Sequence, residues 1–103
     1  MNEEIKQHLI KYCKSKGWED NSDKELMEVI TDAKAVWEGQ RDRHRWYTLI
    51  PTVVEIDGMF LMYDYCDVHG EEANVEDCIG GYKLEDVVQV VPQVEAVMVY
   101  KPV

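Results

Sequence analysis

Residues 46–66 read WYTLIPTVVEIDGMFLMYDYC, and this stretch decides the fold. Val, Ile, Thr and aromatic side chains dominate it, as in a β-strand. Asp57-Gly58 splits the run in two. Both positions of a two-residue type I′ turn need positive φ, and Asp-Gly meets that need with little strain. Such a turn sets the register: Ile56 opposes Met59, Val54 opposes Leu61 and Thr52 opposes Tyr63. Side chains alternate across a strand, so Ile50, Thr52, Val54, Ile56, Met59, Leu61, Tyr63 and Tyr65 share one face, expected to be the core side. Val53, Glu55, Phe60, Met62, Asp64 and Cys66 share the other. Pro51 lacks a ladder donor and is expected at an edge or a bulge.

Upstream of this hairpin the period becomes helical. Ile5, Leu9, Tyr12 and Cys13 form a stripe that predicts a helix over 3–16. Asn2 is its expected N-cap and Gly17 its C-terminal αL residue. Ser22 with Glu25 reads as a capping box. Leu26, Val29, Ile30, Ala33 and Trp37 then extend a second helix over 23–38, although Lys34–Glu38 also reads as an extended approach to a strand. Trp18 is expected to plug the junction between the helices.

Downstream, residues 67–85 read as an acidic, glycine-containing loop with at most a short helical turn near Val75–Ile79. The valines of 87–91 and 94–100 suit a buried strand, broken at Pro92-Gln93. The expectation is therefore a single α+β domain over residues 1–103. Two N-terminal helices pack on a three- to four-stranded antiparallel sheet. No internal repeat or low-complexity tract interrupts it.

The chain of 103 residues has 21 Asp and Glu against 11 Lys and Arg, a net charge of −10. Residues 1–45 are nearly balanced, with nine bases and ten acids, whereas residues 46–103 hold Lys83 and Lys101 against eleven acids. This acidity argues against direct nucleic-acid binding, which requires Lys and Arg to displace phosphate counterions. It favours a basic protein partner through long-range steering. A polar N-terminus, no run of about 18 apolar residues and three cysteines at no framework spacing point to a cytoplasmic protein, with neither membrane association nor disulfides expected.

Several groupings bear on chemistry. Cys66, His69 and Cys78 contain a Cys-x-x-His spacing, but a structural zinc site needs four ligands and no second pair supplies the fourth. A Cys66/His69 thiol–imidazole couple lacks an orienting group. Glu55 and Asp64 fall on one sheet face as a diagonal pair of carboxylates. Arg41-Asp42-Arg43-His44-Arg45, followed by Trp46 and Tyr47, is a basic patch with stacking aromatics. It is expected to pair with the acidic half or to connect helix to sheet. No catalytic residue, cofactor or metal site is expected.

The residues His44-Arg45-Trp46-Tyr47, Val53-Val54-Glu55-Ile56-Asp57-Gly58 and Tyr100-Lys101-Pro102-Val103 resemble small acidic hypothetical proteins encoded by bacteriophages and prophages. The resemblance implies an inhibitor of a bacterial host's defence, in the manner of anti-CRISPR proteins, some of which present carboxylates where DNA phosphates would sit. The functional expectation is a non-catalytic protein that binds a basic, nucleic-acid-binding surface, such as that of a nuclease. Its expected contact residues are Asp64, Asp67, Glu71, Glu72, Glu76, Asp77, Glu85 and Asp86, with Phe60 and Met62 as apolar anchors. The alternative is a structural protein that forms a homodimer or larger homo-oligomer through its second sheet face.

Overall fold

The computed structural model describes residues 3–70, 73–94, 96 and 98–103. Two helices, α1 (Glu3–Ser15) and α2 (Asp23–Asp32), precede strands β1 (Ala35–Glu38), β2 (Asp42–Arg43), β3 (Tyr47–Ile56) and β4 (Met59–Val68). A short helix α3 (Val75–Ile79), a 3₁₀ turn (Leu84–Asp86) and strand β5 (Val88–Val90) follow. The protein is α+β, with both N-terminal helices packed on an antiparallel sheet ordered β1-β3-β4-β5. β2 also pairs with β3, alongside β1.

The hairpin carries the sheet. Asp57 at φ 49° and Gly58 at φ 85° form the two-residue turn, and all ten pairs from Ile56–Met59 to Tyr47–Val68 follow in register. Pro51 lies inside β3. Its carbonyl accepts from Gly39 N–H at 2.7 Å, so its ring nitrogen faces the same edge. β1 occupies that edge opposite Thr52–Val54 and β2 opposite Thr48–Leu49. Pro51 thus sits in the gap between the two short strands, where no donor is required.

Local signals fix the helix ends. Gly17 adopts φ 78°, and Trp18 N–H donates to Cys13 O while Gly17 N–H donates to Lys14 O, at 2.9 and 3.1 Å. This Schellman arrangement satisfies the last carbonyls of α1. Ser22 Oγ accepts from Glu25 N–H at 3.3 Å. The return half of the expected box is replaced, since Ser22 N–H donates to Asp20 Oδ1 instead. Asn2 lies outside the described residues.

The core side of the sheet matches the expected face near the turn. Val54, Ile56, Leu61 and Tyr63 are buried with Ile5, Leu9 and Cys13 of α1, Leu26, Met27 and Ile30 of α2, and Leu84 and Val87. His8 ties α1 to the turn, its Nε2–H donating to Ile56 O at 2.7 Å. Lys6 pairs with Asp23 at 3.2 Å across the two helices.

Four expectations need correction. The second helix ends at Asp32 rather than 38, and Ala35–Glu38 take the extended alternative. Ala33 is extended, at ψ 146°, because Ala35–Glu38 gain a sheet partner in Thr52–Val54. Trp18 does not plug a junction. It is 50% exposed, edge-on to Tyr12. Tyr65, expected in the core, is exposed, whereas Cys66 on the other face is buried. On the core face Ile50, directly across from Tyr65, is buried, so the exposure is confined to the β4 side of that pair. Finally, the C-terminal valines form no buried strand among the described residues: β5 has only three residues, with Val88 exposed and Val90 half-buried. Every described residue from 91 to 103 is exposed; Glu95 and Val97 lie outside the described residues. No helix among the described residues is long and apolar enough to cross a membrane.

Candidate functional site: an acidic surface centred on α2

The apolar residues of α2 face the sheet, which leaves Asp23, Glu25, Glu28 and Asp32 on its outer side. Two clefts flank the helix. One, of about 560 Å³, is lined by Asp23 and Glu28 from α2 and by Glu76 and Glu85 from the segment after β4, with Lys24 and Lys83 beside them. The other, of about 430 Å³, is lined by Glu25, Glu28 and Asp32, by Glu55, and by Tyr12 and Trp18. Seven carboxylates therefore surround one short helix, and two lysines accompany them. Among the described residues the close charge pairs are Lys6–Asp23 and His44–Asp42, so Glu25, Glu28, Asp32, Glu55, Glu76 and Glu85 have no internal cation. α3 helps to hold the ridge. Asn74 Oδ1 caps it by accepting from Asp77 N–H at 2.9 Å, and Gly80 closes it in the left-handed region at φ 73°.

The structure divides the expected contact residues. Glu76 and Glu85 join the α2 surface. Asp77 and Asp86 lie exposed in α3 and in the 3₁₀ turn. Asp67 pairs with Thr48 at the far end of the hairpin. Glu71 and Glu72 lie outside the described residues. Phe60, Met62 and Asp64 sit on the sheet face opposite Leu61 and Tyr63, and so on the side away from the helices. The apolar anchors are thus separated from Asp23, Glu25, Glu28 and Asp32 by the thickness of the sheet, whereas Glu55 stands beside Phe60 on their own face. Reading the chain by halves missed Asp23, Glu25, Glu28 and Asp32, because Lys and Arg elsewhere in residues 1–45 cancel them in the sum. The signal available was their spacing, since Glu25, Glu28 and Asp32 stand at i, i+3 and i+7 on one helical stripe.

The other groupings resolve differently. Glu55 opposes Phe60 and Asp64 opposes Pro51, so the two acids stand four residues apart along the hairpin, about 13 Å, and form no pair. His69 is hydrogen-bonded through Nε2 to Thr48 Oγ1 at 2.8 Å, on the sheet face opposite Cys66. Burial pushes the Cys66 thiol pKa up, with Cys78 and Asp67 adding to the rise, and burial followed by the Glu25 charge does the same at Cys13. Both thiols are therefore held in the protonated form, which is the poor nucleophile. Among the described residues no group of three or more His, Cys, Asp or Glu side chains is placed to hold a metal ion.

The basic cluster builds the β2–β3 turn. His44 Nε2–H donates to Asp42 Oδ2 at 3.0 Å, its ring stacks on Tyr47 at 4.5 Å, and the Arg45 guanidinium lies 4.9 Å over Trp46. The expected pairing of these arginines with the acidic half is not made among the described residues. No family model, curated protein or solved structure matches this chain.

Proposed function

We propose that this protein is a non-catalytic binding protein whose acidic α2 surface engages a basic protein surface. The favoured target is the nucleic-acid-binding groove of a host defence protein, in keeping with the phage-type resemblance. One observation carries the reading: Asp23, Glu25, Glu28, Asp32, Glu55, Glu76 and Glu85 converge on the two clefts beside α2, and only Asp23 has an internal ion-pair partner among the described residues. Unpaired carboxylates on a rigid helix steer a cationic partner and fix its register. They repel nucleic acid, so the bound partner loses access to its own ligand. Trp18, half exposed in the second cleft, offers an aromatic surface on which an arginine of the partner can stack.

The test is capture of binding proteins from a bacterial lysate by the native chain and by Glu25→Lys/Glu28→Lys/Asp32→Lys. A basic nucleic-acid-binding protein is expected on the native chain at low salt, displaced by added duplex DNA and absent from the triple variant. Capture by the variant equal to that of the native chain overturns the reading.

A further inference from the structure

The sheet face away from the helices carries apolar side chains that are partly exposed around Met62, while Val53 and Cys66 on the same face are buried. Register places Trp37 beside Val53, Val53 beside Met62, and Val88 and Val90 beside Met62 and Phe60. Trp37, Val53, Met62 and Val88 form one row across β1, β3, β4 and β5, and Phe60 and Val90 stand in the next row, beside Glu55. Trp37 is 55% exposed and Val88 47%, and Phe60, Met62 and Val90 are partly exposed. A continuous apolar patch of this kind marks an interaction surface.

The same chain carries a matching element. Beyond β5, the described residues of 91–103 form no helix or strand and are all exposed, Val94, Met98, Val99 and Tyr100 among them. The long axis of the molecule is 61 Å and its radius of gyration 16.5 Å, against about 13 Å for a compact chain of this length. A segment rich in Val, Met and Tyr has high strand preference, and leaving it in water is costly.

We propose that the protein forms a homodimer in which the C-terminal arm of each copy, residues 91–103, lies on the helix-free sheet face of the other. Three features select a second copy. In its extended form the arm spans about 40 Å, enough to cross four strands at about 4.8 Å spacing. Folding onto its own sheet requires a reversal directly after β5, where Pro92 holds Val91 in extended backbone. Charge points the same way. Two chains of net charge −10 repel, but the arm carries one acid and one base, Glu95 and Lys101, and is the part best able to approach another copy. The association uses none of Asp23, Glu25, Glu28 and Asp32, so its failure and that of the binding surface on α2 are separate results.

The native 103-residue chain is studied by sedimentation over a range of concentrations, together with Met98→Glu in the arm and Met62→Glu on the face. A concentration-dependent dimer is expected for the native chain. Each variant is expected to weaken it by roughly 30-fold, the size of a hot-spot loss. Met98 is 78% exposed, so its variant is expected to retain the native circular dichroism spectrum and stands as evidence even if Met62→Glu misfolds. Position is read by mixing Met62→Cys chains with Met98→Cys chains under a short thiol cross-linker. The expected product is a mixed species of twice the 12.0 kDa chain mass. A native chain that stays monomeric at all concentrations, a dimer indifferent to Met98→Glu, or a Met62→Cys/Met98→Cys double variant that links only within one chain each overturns the proposal.

Discussion

Leu61 and Met62 are neighbours in β4 that face opposite sides of the sheet, and their truncation separates the core from the helix-free face. Leu61 is fully buried, opposite Val54 and beneath the helices. Leu61→Ala removes three carbons, about 2.4 kcal/mol of transfer free energy at about 0.8 kcal/mol each. The surrounding strands are pinned by ladder hydrogen bonds and cannot collapse into the gap, so a cavity contribution brings the loss to about 3–4 kcal/mol. With a urea slope of roughly 1.5 kcal/mol/M, the unfolding midpoint falls by about 2 M. Met62→Ala removes a comparable volume from a half-open face and costs less than about 1 kcal/mol, or about 0.7 M. The assay is urea unfolding followed by circular dichroism at the lowest workable protein concentration, where an arm-exchanged dimer dissociates. Equal losses for the two variants, unchanged by dilution, would refute the assignment of faces.

Three further outcomes follow from the same structure. Burial, then the Tyr82, Tyr65 and Asp32 charges, raise the Tyr63 pKa to about 12. The folded chain thus holds a proton that the unfolded chain releases near pH 10, so this stability is complete below pH 10 and is lost as pH rises from about 10 to 12. Urea midpoints measured across that range should fall, and Tyr63→Phe should shrink the fall; an undiminished fall assigns it to other groups. Gly58→Ala meets no atom within 4 Å but must hold φ 85°, so a loss of about 1 kcal/mol from backbone strain alone is expected, and no loss means the turn has relaxed to another type. Ser22→Ala deletes the acceptor for Glu25 N–H and should cost about 1 kcal/mol in thermal unfolding. An unchanged melting temperature would show that Asp20 and the backbone suffice to start α2.

Legibility followed the range of the forces involved. The hairpin register was readable because Asp57-Gly58 admits one turn and the turn counts out every pair. Gly17 and Ser22 likewise act within one helical turn of themselves. β1 was ambiguous, because Ala35–Glu38 sustain helical spacing as readily as strand pairing, and the edge of β3 beyond Pro51 decides between them. β2 is two residues long and is defined only by its pairing with Thr48–Leu49. Val91, Val94 and Val99 carry strong strand preference, but preference forms no strand without a partner edge. At the candidate site, the acids of the second half could be counted from the sequence, but their meeting with α2 could not. Glu76 and Glu85 reach Asp23 and Glu28 because the chain after β4 returns past the helix layer to place β5 beside β4. Phe60 and Met62 were correctly read as sharing the second sheet face, and the layer order separates them from the α2 carboxylates.

The most direct measurement of the central claim is hydrogen exchange of the native chain with and without the basic partner captured from lysate. Slowed exchange in 23–32 and 74–86, with 59–64 unchanged by the partner, is the expected result. Protection confined to β4 and to residues 88–103, with α2 exchanging as in the free protein, would contradict it and transfer partner binding to the helix-free face.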